Sequence, residues 1–177
     1  MIFVWWALLI LVVLAAGAVG LTAFRYGLLP TLVRGAPYVP THVDSVQAMM
    51  ELAELTPNDR VVDLGSGDGR IIHEAARAGV REAIGYEIDP VQVRQSQRFA
   101  DEHGLKQAHF FSRSFWDVSL QDIDVVFLYT LPIYQRKMAE KCLAELSPGA
   151  RVISNIYPLP GLTLVEERGA VKLYKIV

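Results

Sequence analysis

The chain has 177 residues and a formal net charge of −2 at pH 7, enough for one ordinary domain with an extension. Its sequence pI is about 6.1 and it carries no basic stripe, which argues against a nucleic-acid partner. Its one cysteine, Cys142, excludes a disulfide framework and a cysteine-based metal site, and we expect this residue to be a small apolar filler on a helix. No cluster of His, Asp and Glu has metal-ligand spacing, so we expect no metal.

The N-terminal residues 2–24 contain no charged side chain. A membrane-spanning helix needs about 20 apolar residues, and Trp5, Trp6 and Tyr26 lie where interfacial aromatic belts would be. We therefore predict that residues 1–26 form a single transmembrane anchor in a lipid bilayer. The alternative is a signal peptide cleaved near residues 15–18. It is disfavoured because no Lys or Arg precedes the apolar run, which is longer than the roughly 7–15 residues typical of such signals.

The charges beside this apolar run predict its orientation. Arg25 and Arg34 follow the run and no basic residue precedes it. The positive-inside rule then places the rest of the chain on the cytosolic side, or on the matrix side of an organelle. Residues 27–40 contain three prolines and predict a linker, which leaves residues 41–177 as one domain.

Apolar runs alternate with helical patterns along this domain. Thr41 or Asp44 is predicted to cap a first helix that ends at residues 57–59. The predicted strands cover residues 60–64, 83–88, 107–111, 123–129 and 150–155. The predicted helices between them cover residues 70–78, 90–103 and 133–146. This alternation indicates βαβ units and a mostly parallel sheet. Residues 162–167 and 170–177 are strand-like around Arg168-Gly169 and predict a C-terminal antiparallel hairpin.

A glycine-rich turn follows the first predicted strand, in residues 63–70 (DLGSGDGR). A strand, a glycine turn and a helix N-terminus together are typical of a nucleotide-type site, because glycine permits positive φ and close approach of a ligand. The dinucleotide pattern G-x-G-x-x-G/A would need a small residue where Arg70 stands. A pyrophosphate would also meet Asp63 and Asp68. The same carboxylates would attract S-adenosylmethionine (SAM), which carries a sulfonium and an ammonium and no phosphate.

Glu87 ends the second predicted strand, about 20 positions after the turn, where an acidic side chain reaches two ribose hydroxyls. NAD enzymes share this spacing, so it supports an adenosine ligand without distinguishing between the two cofactors. The structural alternative is that Asp63 and Glu87 are ordinary strand-end caps and the glycines an ordinary tight turn.

The flanking segments, together with the turn, resemble a known family. Residues 37–41 (PYVPT), 143–153 and 157–161 (YPLPG) are similar to the lysine methyltransferases that modify the ATP synthase c-subunit and the adenine nucleotide translocase in mitochondria, and to their broad-specificity archaeal relative. The resemblance runs from Ala36 to the C-terminus. It implies a class I methyltransferase fold, which is a Rossmann-like α/β fold, with SAM as the cofactor.

The resemblance also implies roles for individual residues. The methionine part of SAM would be held at the turn, by Asp63, Gly65, Ser66, Gly67 and Gly69. Glu87 would hold the ribose. Ser114, in the turn after the third strand, would contact the adenine, although class I enzymes usually have Asp or Asn there, and Asp117 is the alternative. Leu162 departs from the Trp that the relatives tend to have after the Pro-x-Pro element.

Methyl transfer from SAM depends mainly on alignment and on exclusion of water. Aromatic rings can hold a lysine and a sulfonium by cation–π contact. We expect Tyr129, which ends the fourth predicted strand, to be the catalytic aromatic residue, and Tyr38, Thr41 and Tyr157 to border the acceptor. The alternative for each tyrosine is ordinary packing. The function predicted is a protein-lysine N-methyltransferase acting on a membrane or membrane-associated protein. The alternatives are methylation of a small or lipophilic acceptor, and a SAM-binding module without catalysis.

Overall fold

The computed structural model describes residues 2–23 and 39–177, and the chain divides into two compact units, Met1–Pro37 and Tyr38–Val177. The first unit contains helix α1 (Ile2–Ala23). Among the described residues, no helix meets the length and apolarity that crossing a membrane requires, so the predicted transmembrane span is not supported. Of the predicted linker, only Val39 and Pro40 are described; Tyr38 lies outside the described residues.

A seven-stranded sheet forms the centre of the second unit, in the order β3-β2-β1-β4-β5-β7-β6. The strands are β1 (Arg60–Leu64), β2 (Glu82–Glu87), β3 (Ala108–Ser112), β4 (Val125–Leu128), β5 (Arg151–Asn155), β6 (Thr163–Arg168) and β7 (Val171–Lys175). Strands β1 to β5 pair in parallel, whereas β7 is antiparallel to both β5 and β6. This confirms the predicted α/β class with a mostly parallel sheet and a C-terminal hairpin.

The helices of this unit are α2 (Val43–Ala53), α3 (Arg70–Arg77), α4 (Pro90–Glu102) and α5 (Gln135–Glu145). Two predicted details of α2 are wrong. Its N-cap is His42, whose ring accepts a hydrogen bond from the Asp44 N–H at 3.4 Å, and not Thr41 or Asp44. It ends at Ala53, because Glu54 adopts a left-handed conformation (φ 45°) that stops the helix before residues 57–59. Short 3-10 turns at Phe115–Asp117 and Pro132–Tyr134 were not predicted.

Side chains alternate across the sheet and pack into two apolar layers, one on each face. On one face Val61, Phe127 and Ile153 pack with α2 and α3. On the other, Val62 and Leu128 pack with α5. Asp63, two residues after Val61, therefore projects toward the α2 and α3 layer.

Cys142 lies on α5 in the second layer and is fully buried. Burial is the largest cause that raises the pKa of its thiol, to about 12. A thiol that stays protonated is a poor nucleophile, which agrees with the predicted packing role.

Candidate cofactor and acceptor site

The glycine turn leaves β1 at the carboxyl edge of the sheet. Gly65 (φ 97°), Gly67 (φ 51°) and Gly69 (φ 80°) all have the positive φ that favours glycine. The N–H groups of Gly65 and Ser66 both donate to the Tyr86 carbonyl, at 2.9 and 3.0 Å, which ties the turn to the end of β2. In open α/β sheets, ligands bind outside this edge.

Glu87 holds the turn from the neighbouring strand. Its Oε2 accepts from the Gly67 N–H at 3.0 Å, and its Oε1 accepts from the N–H groups of Ile88 at 2.7 Å and Asp89 at 3.0 Å. The half-buried carboxylate is therefore fixed in place. Oε1 already accepts two N–H groups, whereas Oε2 accepts one and has a second lone pair for a further donor, such as a hydroxyl.

Asp63 lies beneath this turn and is only 3% exposed. Burial, followed by the negative charges of Glu87 and Asp68, raises the pKa of its carboxyl to about 8. The charges of Glu87 and Asp68, which contribute to this shift, have the same sign as the ionised Asp63 carboxylate. A cation placed here would stabilise the ionised carboxylate.

The residues present at the turn fit SAM. The Ser66 hydroxyl oxygen is buried and has no hydrogen-bond partner within the described ranges, so it remains available to a polar ligand. The surrounding carboxylates favour a ligand with positive charge over one with phosphates. The structure brings Asp63, Gly65, Ser66, Gly67 and Glu87 together at this turn, and their individual contacts with SAM stay predictions.

Gly69 and Thr41 contribute to the structure of the site. A Cβ on Gly69 would come within 2.7 Å of the Phe110 ring, so this position excludes other residues. Arg70 pairs with Asp68 at 2.6 Å and donates to the Thr41 carbonyl at 2.5 Å. Thr41, which is buried, is thereby attached to the first turn of α3 next to the predicted cofactor residues.

Ser114 lies in the turn after β3, at the predicted adenine side. The Arg113 N–H donates to the Glu87 carbonyl at 3.0 Å, which places this turn beside the end of β2. The Ser114 hydroxyl accepts from the Trp116 N–H at 3.3 Å and so caps the 3-10 turn that follows. Its contact with adenine stays a prediction.

Tyr129 and Tyr157 lie at the carboxyl ends of two neighbouring strands. Leu128 of β4 pairs with Ser154 of β5, and Tyr129 directly follows the pairing. Tyr157 follows Asn155, the last residue of β5. Both tyrosines are half-buried. The structure brings Tyr129 and Tyr157 to the same edge, and their contact with an acceptor stays a prediction.

Several buried polar residues at this edge were missed from the sequence. The Gln135 amide nitrogen donates to the Thr130 carbonyl at 2.9 Å and to its hydroxyl at 3.1 Å. The amide oxygens of Gln135 and Asn155 are buried and find no partner in the part of the chain that the structure describes. The available signal was the polar pair Ser154-Asn155 at the end of an apolar strand.

Comparison with known proteins decides the family. Residues 63–166 match the family model described as the ANTKMT methyltransferase domain. The chain belongs to this methyltransferase family. A protein-lysine N-methyltransferase from Saccharolobus islandicus is 35% identical over 71% of this chain and 79% of its own length. The mouse adenine nucleotide translocase lysine N-methyltransferase is 38% identical over 70% of this chain and 54% of its own length, so the chain spans about half of that relative.

A solved structure agrees with the family assignment. The Salinibacter ruber protein described as an RNA methyltransferase, in complex with S-adenosyl-L-homocysteine, has 34% sequence identity and a TM-score of 0.70. The match covers 78% of this chain and 92% of that one. The predicted family and the predicted cofactor, SAM, are confirmed for this member of the ANTKMT methyltransferase family.

Proposed function

We propose that this methyltransferase transfers methyl groups to lysine side chains of a membrane or membrane-associated protein. The observation that carries the proposal is the acidic glycine turn, where Asp63 and Glu87 lie on neighbouring strands and Tyr129 directly follows the strand paired with β1 on its other side. The choice of lysine is supported by the two relatives named as lysine N-methyltransferases, at 35% and 38% identity.

Each part of the edge has a task in this reaction. SAM, when bound, supplies a methyl group on a positively charged sulfur. Glu87, held by three backbone N–H groups, would accept a hydrogen bond from a ribose hydroxyl at Oε2. The glycine turn admits the methionine part, and Asp63 stabilises its ammonium group.

The acceptor must lose a proton before it can react, because an ammonium has no free lone pair. The ordinary pKa of lysine is about 10.4, and a water-poor site next to a positive sulfur lowers it. The ring of Tyr129 offers a cation–π surface to the incoming lysine. The main tasks of the chain are therefore to align the acceptor and to exclude water from it, and it does not need to supply a reactive group of its own.

We also propose that helix α1 attaches the enzyme to a bilayer, with the methyltransferase domain on the cytosolic or matrix side. The 22 residues of α1 carry no charge, and Trp5, Trp6 and Leu11 are at least 60% exposed. Arg25 and Arg34 follow the apolar run, in keeping with the positive-inside rule.

Membrane attachment is tested by carbonate extraction and by protease protection of sealed vesicles. The wild-type chain should stay with the membrane, and its domain should be cleaved only from the cytosolic side. Leu11→Lys together with Leu14→Lys should release the protein, while Thr22→Lys, near the end of α1, should not. Extraction of the wild-type chain by carbonate would contradict the proposal.

Lysine transfer is tested by incubation with methyl-labelled SAM and membranes, followed by mass spectrometry of the labelled proteins. Methyl increments on lysine that disappear with Glu87→Ala would support the proposal. Label in the lipid extract would favour a lipophilic acceptor, and label in RNA would favour the activity for which the Salinibacter relative is named. Binding of SAM without any transfer would leave a silent binding module.

A further inference from the structure

Asn155 ends β5 with a buried amide that is not satisfied. The residue is 3% exposed, and its side-chain oxygen lacks a hydrogen-bond partner among residues 39–177 as described. Buried polar atoms in proteins are nearly always paired. An unpaired acceptor at the ligand-binding edge of a sheet therefore indicates that a donor is missing.

The alternation of β5 tells which face this amide occupies. Arg151 donates to Ala53, the last residue of α2, and Ile153 packs in the same apolar layer as α2. Asn155 follows at the same spacing and lies on that face. Asp63 and Phe127 share it, and they pair at the same level of the sheet.

The register of the strands places Asn155 beside the expected acceptor. Phe127 pairs with Ile153; two residues further on, Asn155 ends β5 and Tyr129 lies one residue past the end of β4. At about 3.3 Å per residue, this puts both residues roughly 7 Å beyond the level of Asp63, toward the ligand edge. If the register is continued past Leu128 and Ser154, Asn155 is level with Tyr129, the residue that we expect at the acceptor.

The backbone after Asn155 is strained. Ile156 has φ 67°, a value that a β-branched residue rarely adopts. The Tyr157 N–H donates to the Asn155 carbonyl at 2.8 Å. These residues therefore form a γ-turn in which the central residue has a positive φ, which is the rarer of the two kinds of γ-turn. Strain of this kind persists where the surroundings enforce it, and it is concentrated at functional sites.

Three further contacts hold the strained turn. The Ile156 N–H donates to the Ala170 carbonyl at 2.8 Å, and the Lys172 ammonium donates to the Ile156 carbonyl at 3.3 Å. The Ser154 hydroxyl donates to the Tyr157 carbonyl at 2.7 Å. Asn155 and Tyr157 are therefore held in a defined geometry rather than left to a free loop.

We propose that the side-chain oxygen of Asn155 accepts an N–H hydrogen bond from the target amine and so positions it for methyl transfer. The inference rests on the proposed lysine methylation and adds a positioning residue to it. A neutral amide oxygen holds the N–H without the strong preference for an ammonium that a carboxylate would have. The amine lone pair then remains free to point at the methyl group.

The proton, the electron pairs and the positive charge can each be followed through the methyl transfer. The ammonium first gives one proton to water. The nitrogen lone pair then forms the new N–C bond while the pair of the C–S bond moves to sulfur, which becomes a neutral thioether. The nitrogen takes up the positive charge as a methylammonium, and the Asn155 oxygen accepts from its remaining N–H.

The test compares Asn155→Ala and Asn155→Asp in the full chain, with Asn58→Asp as a control at an exposed position ahead of β1. The acceptors are poly-L-lysine and any membrane protein labelled by the wild-type enzyme. Asn155→Ala should lower kcat/KM for the acceptor about tenfold or more, with the Kd for SAM changed less than about threefold. Asn155→Asp should move the pH profile of transfer to higher pH, because a carboxylate stabilises the ammonium.

Two results would overturn the inference. One is a loss of SAM affinity and thermal stability in Asn155→Ala that parallels the loss of transfer, since that pattern belongs to a purely structural residue. The other is a wild-type pH profile in Asn155→Asp. If the wild-type enzyme methylates no lysine although it binds SAM, the proposed function itself fails, an outcome that is seen before any variant is compared.

Discussion

Asp63 and Glu87 end or nearly end neighbouring parallel strands, and the charge of Glu87 adds to burial in raising the pKa of Asp63 to about 8. The same glutamate accepts a hydrogen bond from the Gly67 N–H. The Glu87 side chain thus holds the backbone of the turn and also helps to raise the pKa of the carboxyl group beneath it. A site with two carboxylates on neighbouring strands, one of them buried, is suited to a ligand that brings positive charge.

The first prediction concerns the stability of the ligand-free enzyme. The pKa of Asp63 is raised from its ordinary value of 3.8 to about 8, so the folded state binds the proton more tightly than the unfolded state. The stability that this group contributes is full below pH 4 and is lost as the pH rises toward 8. Asp63→Asn should remove this loss, so its Tm should exceed that of the wild type at pH 8.

Thermal melts between pH 5 and 9 check this prediction. Asp44→Asn serves as the control, because the Asp44 side chain is 89% exposed. Parallel Tm curves for the wild type and Asp63→Asn would show that the Asp63 carboxyl does not titrate in this range.

The second prediction concerns SAM binding. A cation beside Asp63 lowers the pKa of its carboxyl, so SAM should bind more tightly as the pH rises and should release a proton when it binds at pH 7. A difference of one pKa unit corresponds to about tenfold in affinity. Calorimetry in buffers of different ionisation enthalpy measures the released proton. Any proton that the amino group of SAM itself releases on binding should still be released in Asp63→Asn. The variant should therefore release fewer protons than the wild type, and an equal release from both would contradict the prediction.

The third prediction concerns Glu87. Glu87→Gln removes a charged acceptor from the ribose and should weaken SAM binding about tenfold or more. Glu82→Gln is the matched control, because Glu82 begins the same strand at its opposite end and pairs there with Arg60. Fluorescence or calorimetric titration should show nearly unchanged affinity for Glu82→Gln, and equal losses in both variants would remove Glu87 from the site.

The fourth prediction separates backbone strain from steric contact at glycine. Gly69 and Gly79 have similar φ values, 80° and 82°, but only a Cβ on Gly69 meets neighbouring atoms within 4 Å. Gly79→Ala should lower the free energy of unfolding only by the cost of holding an alanine at positive φ, about 1–2 kcal/mol. Gly69→Ala should cost clearly more and should also weaken SAM binding. Urea unfolding measures both variants, and equal costs would mean that Phe110 moves aside freely.

The fifth prediction concerns the ring of Tyr129. If the ring contributes by cation–π contact, Tyr129→Phe should keep methyl transfer within about threefold, and Tyr129→Ala should lose about tenfold or more. The Kd for SAM should change little in either variant. Steady-state kinetics with the labelled acceptor checks this, and an equal loss in the two variants would assign the contribution to the hydroxyl.

Local pattern was sufficient for much of the fold. The apolar run at residues 60–64 and the glycines that follow it define β1 and the turn, because strand alternation and positive φ are properties of a few consecutive residues. The ends of the helices were harder to predict from the sequence. The cap at His42 and the 3-10 turn before α5 depend on how neighbouring segments pack, and not on the residue types alone.

The acidic turn and its preference for a positively charged adenosine ligand were determined by the sequence itself, because they follow from residues 63–70 and the spacing to Glu87. The tertiary structure decided that β7 enters the sheet beside β5, and that Asp63 is buried next to a like charge. It also decided that the side-chain oxygen of Asn155 is buried without a hydrogen-bond partner among the residues that the structure describes, at the edge of the sheet where Tyr129 also lies. Burial and strand register depend on residues that are far apart in the chain. The surroundings of an asparagine at the end of a strand are therefore defined only when the neighbouring strand is in place.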